Sequence, residues 1–149
     1  VMPAVIILAL AFRINTVSRE LKTAEYVVEL TEAWLLPNLL PMITFLLAGF
    51  ISFSTGTSWG TYAIMIPIAM PLAFQFTGGE VNTLIYGTFA AIAGGGVFGD
   101  HCSPLSDTTV LSSLGSACDH IDHVKTQLPY TLIAGGIAMA FYLGLGFIG

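Results

Sequence analysis

No Asp, Glu, Lys, Arg or His occurs between positions 33 and 79, a run of 47 residues. Further stretches without any of these five residue types cover 1–12, 81–99 and 126–149. A helix needs about 20 mainly apolar residues to cross a hydrocarbon core near 30 Å thick, and these runs supply them. Charged residues make up 9% of the chain and hydrophobic ones 55%, against roughly 25% charged in an ordinary soluble domain. Four basic and nine acidic side chains cannot cover a soluble domain of 149 residues. The pattern excludes an ordinary soluble enzyme, a nucleic-acid binder and a disordered region. It predicts an all-α polytopic membrane protein whose main partner is the lipid bilayer.

The charges divide the chain into segments. Residues 1–14 begin inside an apolar run too short to span alone and lack the pattern of a signal peptide. We expect a truncated transmembrane helix there, and a chain that is the C-terminal part of a longer transporter or channel. Seven of the charges fall between Arg13 and Glu32. Val17, Leu21, Ala24 and Val28 recur at helical spacing among them, which predicts an interfacial connector over 15–33. Residues 34–76 hold two apolar stretches around T-G-T-S-W-G-T, a poor helix former. As one straight helix these 43 residues would reach about 65 Å, twice the membrane core. The chain must turn back or unwind near Gly56 and Gly60, giving a first helix–break–helix unit. A second unit is expected over 81–117, broken at G-D-H-C-S-P-L-S-D-T-T. Both units are either discontinuous or re-entrant. A polar loop (118–127) and a final span (128–149) follow, with Pro129 in the first turn of that span, where its missing N–H matters least. Arg13, Arg19 and Lys22 in one loop and Lys125 in another should all be cytoplasmic, if an even number of crossings separates them.

Interrupted apolar segments point to a transporter's binding site. Unwound backbone at membrane depth survives only where protein, water or an ion satisfies its polar groups. Asp100 and Asp107 both lie in the second break, and a carboxylate at membrane depth normally marks an ion or proton pathway. Ser103, Ser106, Thr108 and Thr109 add hydroxyl oxygens, a donor set suited to a hard cation such as Na+. The plainer alternative is that each Asp caps a helix. In the first break Thr55, Gly56, Thr57, Ser58 and Gly60 offer hydroxyl and backbone contacts to an ion or substrate, or satisfy only their own backbone. Trp59 is better read as packing or as an interfacial anchor.

Cys118, His120 and His123 form C-x-H-x-x-H. Structural zinc usually takes four closed ligands, so we expect no metal beyond Na+. His120 and His123 are instead candidates for a pH-sensing loop, the alternative being ordinary hydration. Two cysteines define no disulfide framework. No G-x-S-x-G or H-E-x-x-H organises the Ser, His and Asp residues into an enzyme site.

T-G-T-S-W-G-T before a proline-containing apolar helix, then G-D-H-C-S-P-L-S-D-T-T and C-D-H-I-D-H-V-K-T-Q-L-P-Y, closely resembles the NhaC-type sodium/proton antiporter family. The similarity runs across nearly the whole chain. It implies the C-terminal part of a secondary antiporter of the plasma membrane, with inverted repeats and broken helices. Such a protein exchanges Na+ for H+ without a cofactor, or couples these ions to a small solute such as malate, lactate or an amino acid. The resemblance also implies a missing N-terminal portion that contributes half of the site. The sequence leaves a homo-oligomer open.

Overall fold

The structure, a computed structural model, describes residues 36–148 together with Glu20. The truncated helix at 1–14, the connector at 15–33 and the basic residues Arg13, Arg19 and Lys22 lie outside the described residues. Five α-helices follow one another, and no strand occurs among the described residues. They are α1 (Leu40–Thr55), α2 (Ser58–Phe76), α3 (Thr83–Cys102), α4 (Asp107–Gly115) and α5 (His120–Ile148). A 3-10 turn at Pro37–Leu39 leads into α1. Among the described residues three segments are long and apolar enough to cross a membrane: Pro37–Thr55, Ser58–Phe76 and His120–Ile148.

The first apolar unit folds as a hairpin. Leu40 at the start of α1 packs with Leu72 and Ala73 near the end of α2, and Ala48 packs with Met65 and Ala69. The reversal takes two residues. Gly56 adopts a left-handed φ of 68°, its N–H closing on the Ser52 carbonyl at 2.8 Å. Thr57 then caps α2, accepting from the Gly60 N–H. Unwinding therefore stops before Gly60, which lies inside α2.

Helix α3 is the centre of the bundle. It runs parallel to α1, with Leu84 and Ile85 beside Leu40 and Ser52 Oγ donating to the Gly96 carbonyl at 2.6 Å. Small residues let the two backbones approach. A Cβ added at Gly99 would meet Phe53 N and Ser52 Cβ at 2.8 Å each, and also the Gly49 carbonyl. Antiparallel to α3 lie α2, through Tyr62 OH on the Ala93 carbonyl (3.2 Å), and α5, through Tyr142 OH on the Ala90 carbonyl (2.9 Å).

Two expectations change here. The polar stretch 118–127 is mostly helix, because Asp119 Oδ1 accepts from the N–H groups of Ile121 (2.9 Å) and Asp122 (3.2 Å) and so starts α5 at His120. Pro129 accordingly sits inside α5 and not in its first turn. The even number of crossings expected between the basic stretches involves Arg13, Arg19 and Lys22 and lies outside the described residues. Three helices of alternating direction, α1, α2 and α3, precede α5. At 9 residues, α4 reaches only about 14 Å and cannot return across the bundle. Lys125 therefore lies at the end of the bundle opposite Leu36.

Candidate functional site

Both breaks fall at the same end of the bundle and touch. Ser103 Oγ donates to the Phe53 carbonyl at 2.8 Å, satisfying one of the carbonyls left over at the C-terminus of α1. Leu105 lies against Gly56, where an added Cβ would meet the Leu105 carbonyl oxygen at 2.7 Å. Glycine is thus needed at Gly56 twice, for its φ and for this approach. The C-termini of α1 and α3 and the N-termini of α2 and α4 converge there, bringing partial charges of both signs together.

Asp100 is the centre of the second break. It occupies the last turn of α3 and is 4% exposed. Ser106 Oγ donates to its Oδ1 at 2.9 Å and Thr108 Oγ1 to its Oδ2 at 2.6 Å. Ser106 Oγ and Thr108 Oγ1 are themselves 2.7 Å apart. Ser106 also caps α4, accepting from the Thr109 N–H at 3.4 Å. The fold produces this cluster economically: Pro104 ends α3, and the cap of α4 carries a hydroxyl back towards the preceding helix. A carboxylate at the negative end of the α3 dipole attracts a cation or a proton. Carboxylate and hydroxyl oxygens are the donors that a hard cation takes.

The second break is pinned from a third side. His120 Nε2 lies 2.8 Å from the Pro104 carbonyl and Nδ1 lies 3.2 Å from Ser113 Oγ. A carbonyl can only accept, so Nε2 carries a proton. The Ser113 hydroxyl donates to the Val110 carbonyl at 2.8 Å. His120 holds the loop that presents Ser106 to Asp100.

The remaining candidates separate from this cluster. Asp107 is exposed at the first position of α4, and among the described residues its Oδ1 accepts only from the adjacent Thr108 N–H (2.9 Å). In the first break Thr55 Oγ1 returns to the Ile51 carbonyl (2.8 Å) and Thr57 caps its own helix. Ser58 and Gly60 belong to α2. None of these residues is hydrogen-bonded to Asp100 among the described residues; the first break meets the second with its own backbone, at the Phe53 carbonyl and Gly56. His123 Nδ1 lies 3.8 Å from Cys118 Sγ, which itself reaches the carbonyl of Ser113, the residue that His120 Nδ1 contacts. Among the described residues no three His, Cys, Asp or Glu side chains converge on a common point.

A polar pocket of about 310 Å³ adjoins the cluster, lined by His101, Thr108, Thr109, Ser112, Gln127 and Thr131. An apolar cleft of about 430 Å³ continues from it between α3 and α5, lined by Phe45, Phe98, Tyr130 and Ala134 among others and sharing His101 and Thr131 with the pocket. Ser112, Gln127 and Thr131 carried no sequence signal of function. Their only hint was polarity at helical spacing in 127 and 131.

A profile of the Na+/H+ antiporter family matches residues 1–147. An uncharacterized protein of Haemophilus influenzae is 42% identical over 97% of this chain and 27% of its own length. The arginine/ornithine antiporter ArcD of Halobacterium salinarum is 37% identical over 76% of the chain and 23% of its own length. The malate-2H(+)/Na(+)-lactate antiporter of Bacillus subtilis is 34% identical over 75% and 23%. The chain thus spans about a quarter of the length of the curated relatives it matches. No solved structure matches. A match of this extent, on a helical chain with apolar spans, has one consequence: the chain belongs to the Na+/H+ antiporter family.

Proposed function

We propose that the protein is a multi-pass secondary transporter of the plasma membrane that exchanges Na+ for H+, and that Asp100 carries either ion but never both. The observation that carries this reading is the triangle of Asp100, Ser106 and Thr108, with three close oxygen contacts of 2.9, 2.6 and 2.7 Å. Two hydroxyls supply two protons. A charged carboxylate leaves one of the three contacts facing lone pair to lone pair. A proton on Asp100 closes the ring: Oδ2–H donates to Thr108, Thr108 to Ser106, and Ser106 to Oδ1. Na+ in place of that proton takes the carboxylate and the same hydroxyl lone pairs. The two occupants exclude each other, and that competition couples the fluxes. The rest of the protein's length supplies the other half of the transport path.

The test is the full-length protein in proteoliposomes, with Na+ and pH gradients imposed separately. A Na+ gradient should move protons, and Asp100→Asn should not support that movement. Parental rates in Asp100→Asn would remove Asp100 from the coupling. A second reading, ion-coupled exchange of a small organic solute, is supported by the apolar cleft beside the polar pocket and by the names of the Halobacterium and Bacillus relatives. It predicts proton movement only when malate, lactate or an amino acid is present on one side.

A further inference from the structure

Thr109 is 3% exposed, and its Oγ1 is buried without a hydrogen-bond partner among the described residues. A hydroxyl in that condition is costly unless something comes to it. Thr109 lines the polar pocket, and Thr108 belongs to the pocket and to the Asp100 triangle at once. One hydroxyl therefore separates the pocket from the carboxylate.

The lining is dominated by acceptors. Gln127 Nε2 donates to the His101 carbonyl at 3.0 Å, which leaves the amide oxygen as an acceptor for the pocket. His101 Nδ1 lies 2.8 Å from the Val97 carbonyl. It is therefore the protonated nitrogen, so the neutral ring presents an Nε2 lone pair. Thr108, Thr109, Ser112 and Thr131 add hydroxyls, and among the described residues no Lys or Arg lines the pocket. Such a wall suits a cation that still carries water and holds no fixed positive charge for an anion. A volume of 310 Å³ holds about ten waters at ~30 Å³ each.

We propose that this pocket is the vestibule through which a hydrated alkali cation reaches Asp100, with Thr109 Oγ1 exchanging for one of its waters at the last step. The proposal rests on Asp100 as the ion-carrying group. It adds a route from the α4–α5 side and the residues that line it. The cation sheds water against Ser112, Gln127 and Thr131, passes Thr108, and meets the carboxylate.

The test uses the full-length protein with Cys118→Ser, since Cys118 is exposed and Cys102 is buried. Ser112→Cys and Thr131→Cys are each treated with a small trimethylammonium-bearing thiol reagent, and Na+-driven proton movement is read before and after on the same sample. Modification should abolish exchange at both positions, and Na+ should slow it where choline does not. Leu114→Cys, on the exposed side of α4 (70% exposed), should be modified without loss. Thr109→Val should raise the Na+ concentration for half-maximal exchange about tenfold, as expected from losing one oxygen contact to a charged group. Cysteines at 112 and 131 that stay unmodified, or that are modified with exchange intact, overturn the route. The outcome is separable from that for Asp100. Exchange persisting in Asp100→Asn while Na+ still protects Ser112→Cys would keep the vestibule and remove the carboxylate from its end.

Discussion

Asp100 and Asp107 are seven positions apart in one polar stretch, and the chain treats them oppositely. Asp100 is buried beneath two hydroxyls, whereas Asp107 is exposed and accepts from its neighbour's N–H. Asp107→Asn should therefore keep coupled exchange and abundance, since at the first turn of α4 it loses only a dipole interaction of about 0.3–1 kcal/mol; proteoliposome flux beside Asp100→Asn checks this. The sequence shows both residues as rare charges within apolar surroundings, which is why either was a candidate. What it does not show is the rotational phase at the helix end. Pro104 and the Ser106 cap set that phase, turning the one Asp inward and leaving the other outside. His120 belongs to the same scale. Read from sequence it is a candidate for a pH-sensing loop, and in the structure its Nε2 donates to the Pro104 carbonyl. His120→Gln, which can still donate to that carbonyl, should keep the parental Na+ dependence and pH profile. His120→Ala should weaken Na+ affinity severalfold, and an unchanged affinity would separate His120 from the site.

The elements follow from apolar runs and from small residues placed where backbones must meet. The helices of α1 and α2 and the reversal near Gly56 were legible, because apolar segments of spanning length flank Gly and hydroxyl residues that neither propagate a helix nor tolerate lipid. The start of α5 was not legible. Charge made 118–127 look like a loop, while the Asp119 side chain supplies the cap that lets the helix begin there. The α1–α3 contact makes a sharp prediction. Gly99→Ala drives a methyl against the backbone of Gly49 and Phe53, neither of which can move aside. It should destabilise the full-length protein by about 1–3 kcal/mol, read as a lower midpoint in detergent unfolding. Gly136→Ala, with nothing within 4 Å of the added carbon, should stay within about 0.5 kcal/mol of the parent.

At the scale of the molecule, direction matters most. A hairpin that returns, followed by α3 and a short α4 that do not, leaves Lys125 at the break end and the 77–82 turn at the other. Periodicity and composition cannot reveal this, because the length of α4 and the packing of α5 against α3 decide it. Cysteines placed at Glu80 and Lys125 should be labelled from opposite faces of the membrane; labelling from one face would contradict this placement. The same geometry brings the two helix breaks together, so that the end of one helix pair braces the loop that carries the other's hydroxyls. The central claim is that one carboxylate exchanges a proton for Na+, and the most direct measurement is proton release on Na+ addition. In lightly buffered detergent solution, Na+ added to the full-length protein should release protons into the bulk. Asp107→Asn should release the same amount and Asp100→Asn none. Release from Asp100→Asn equal to that of the parent would contradict the account.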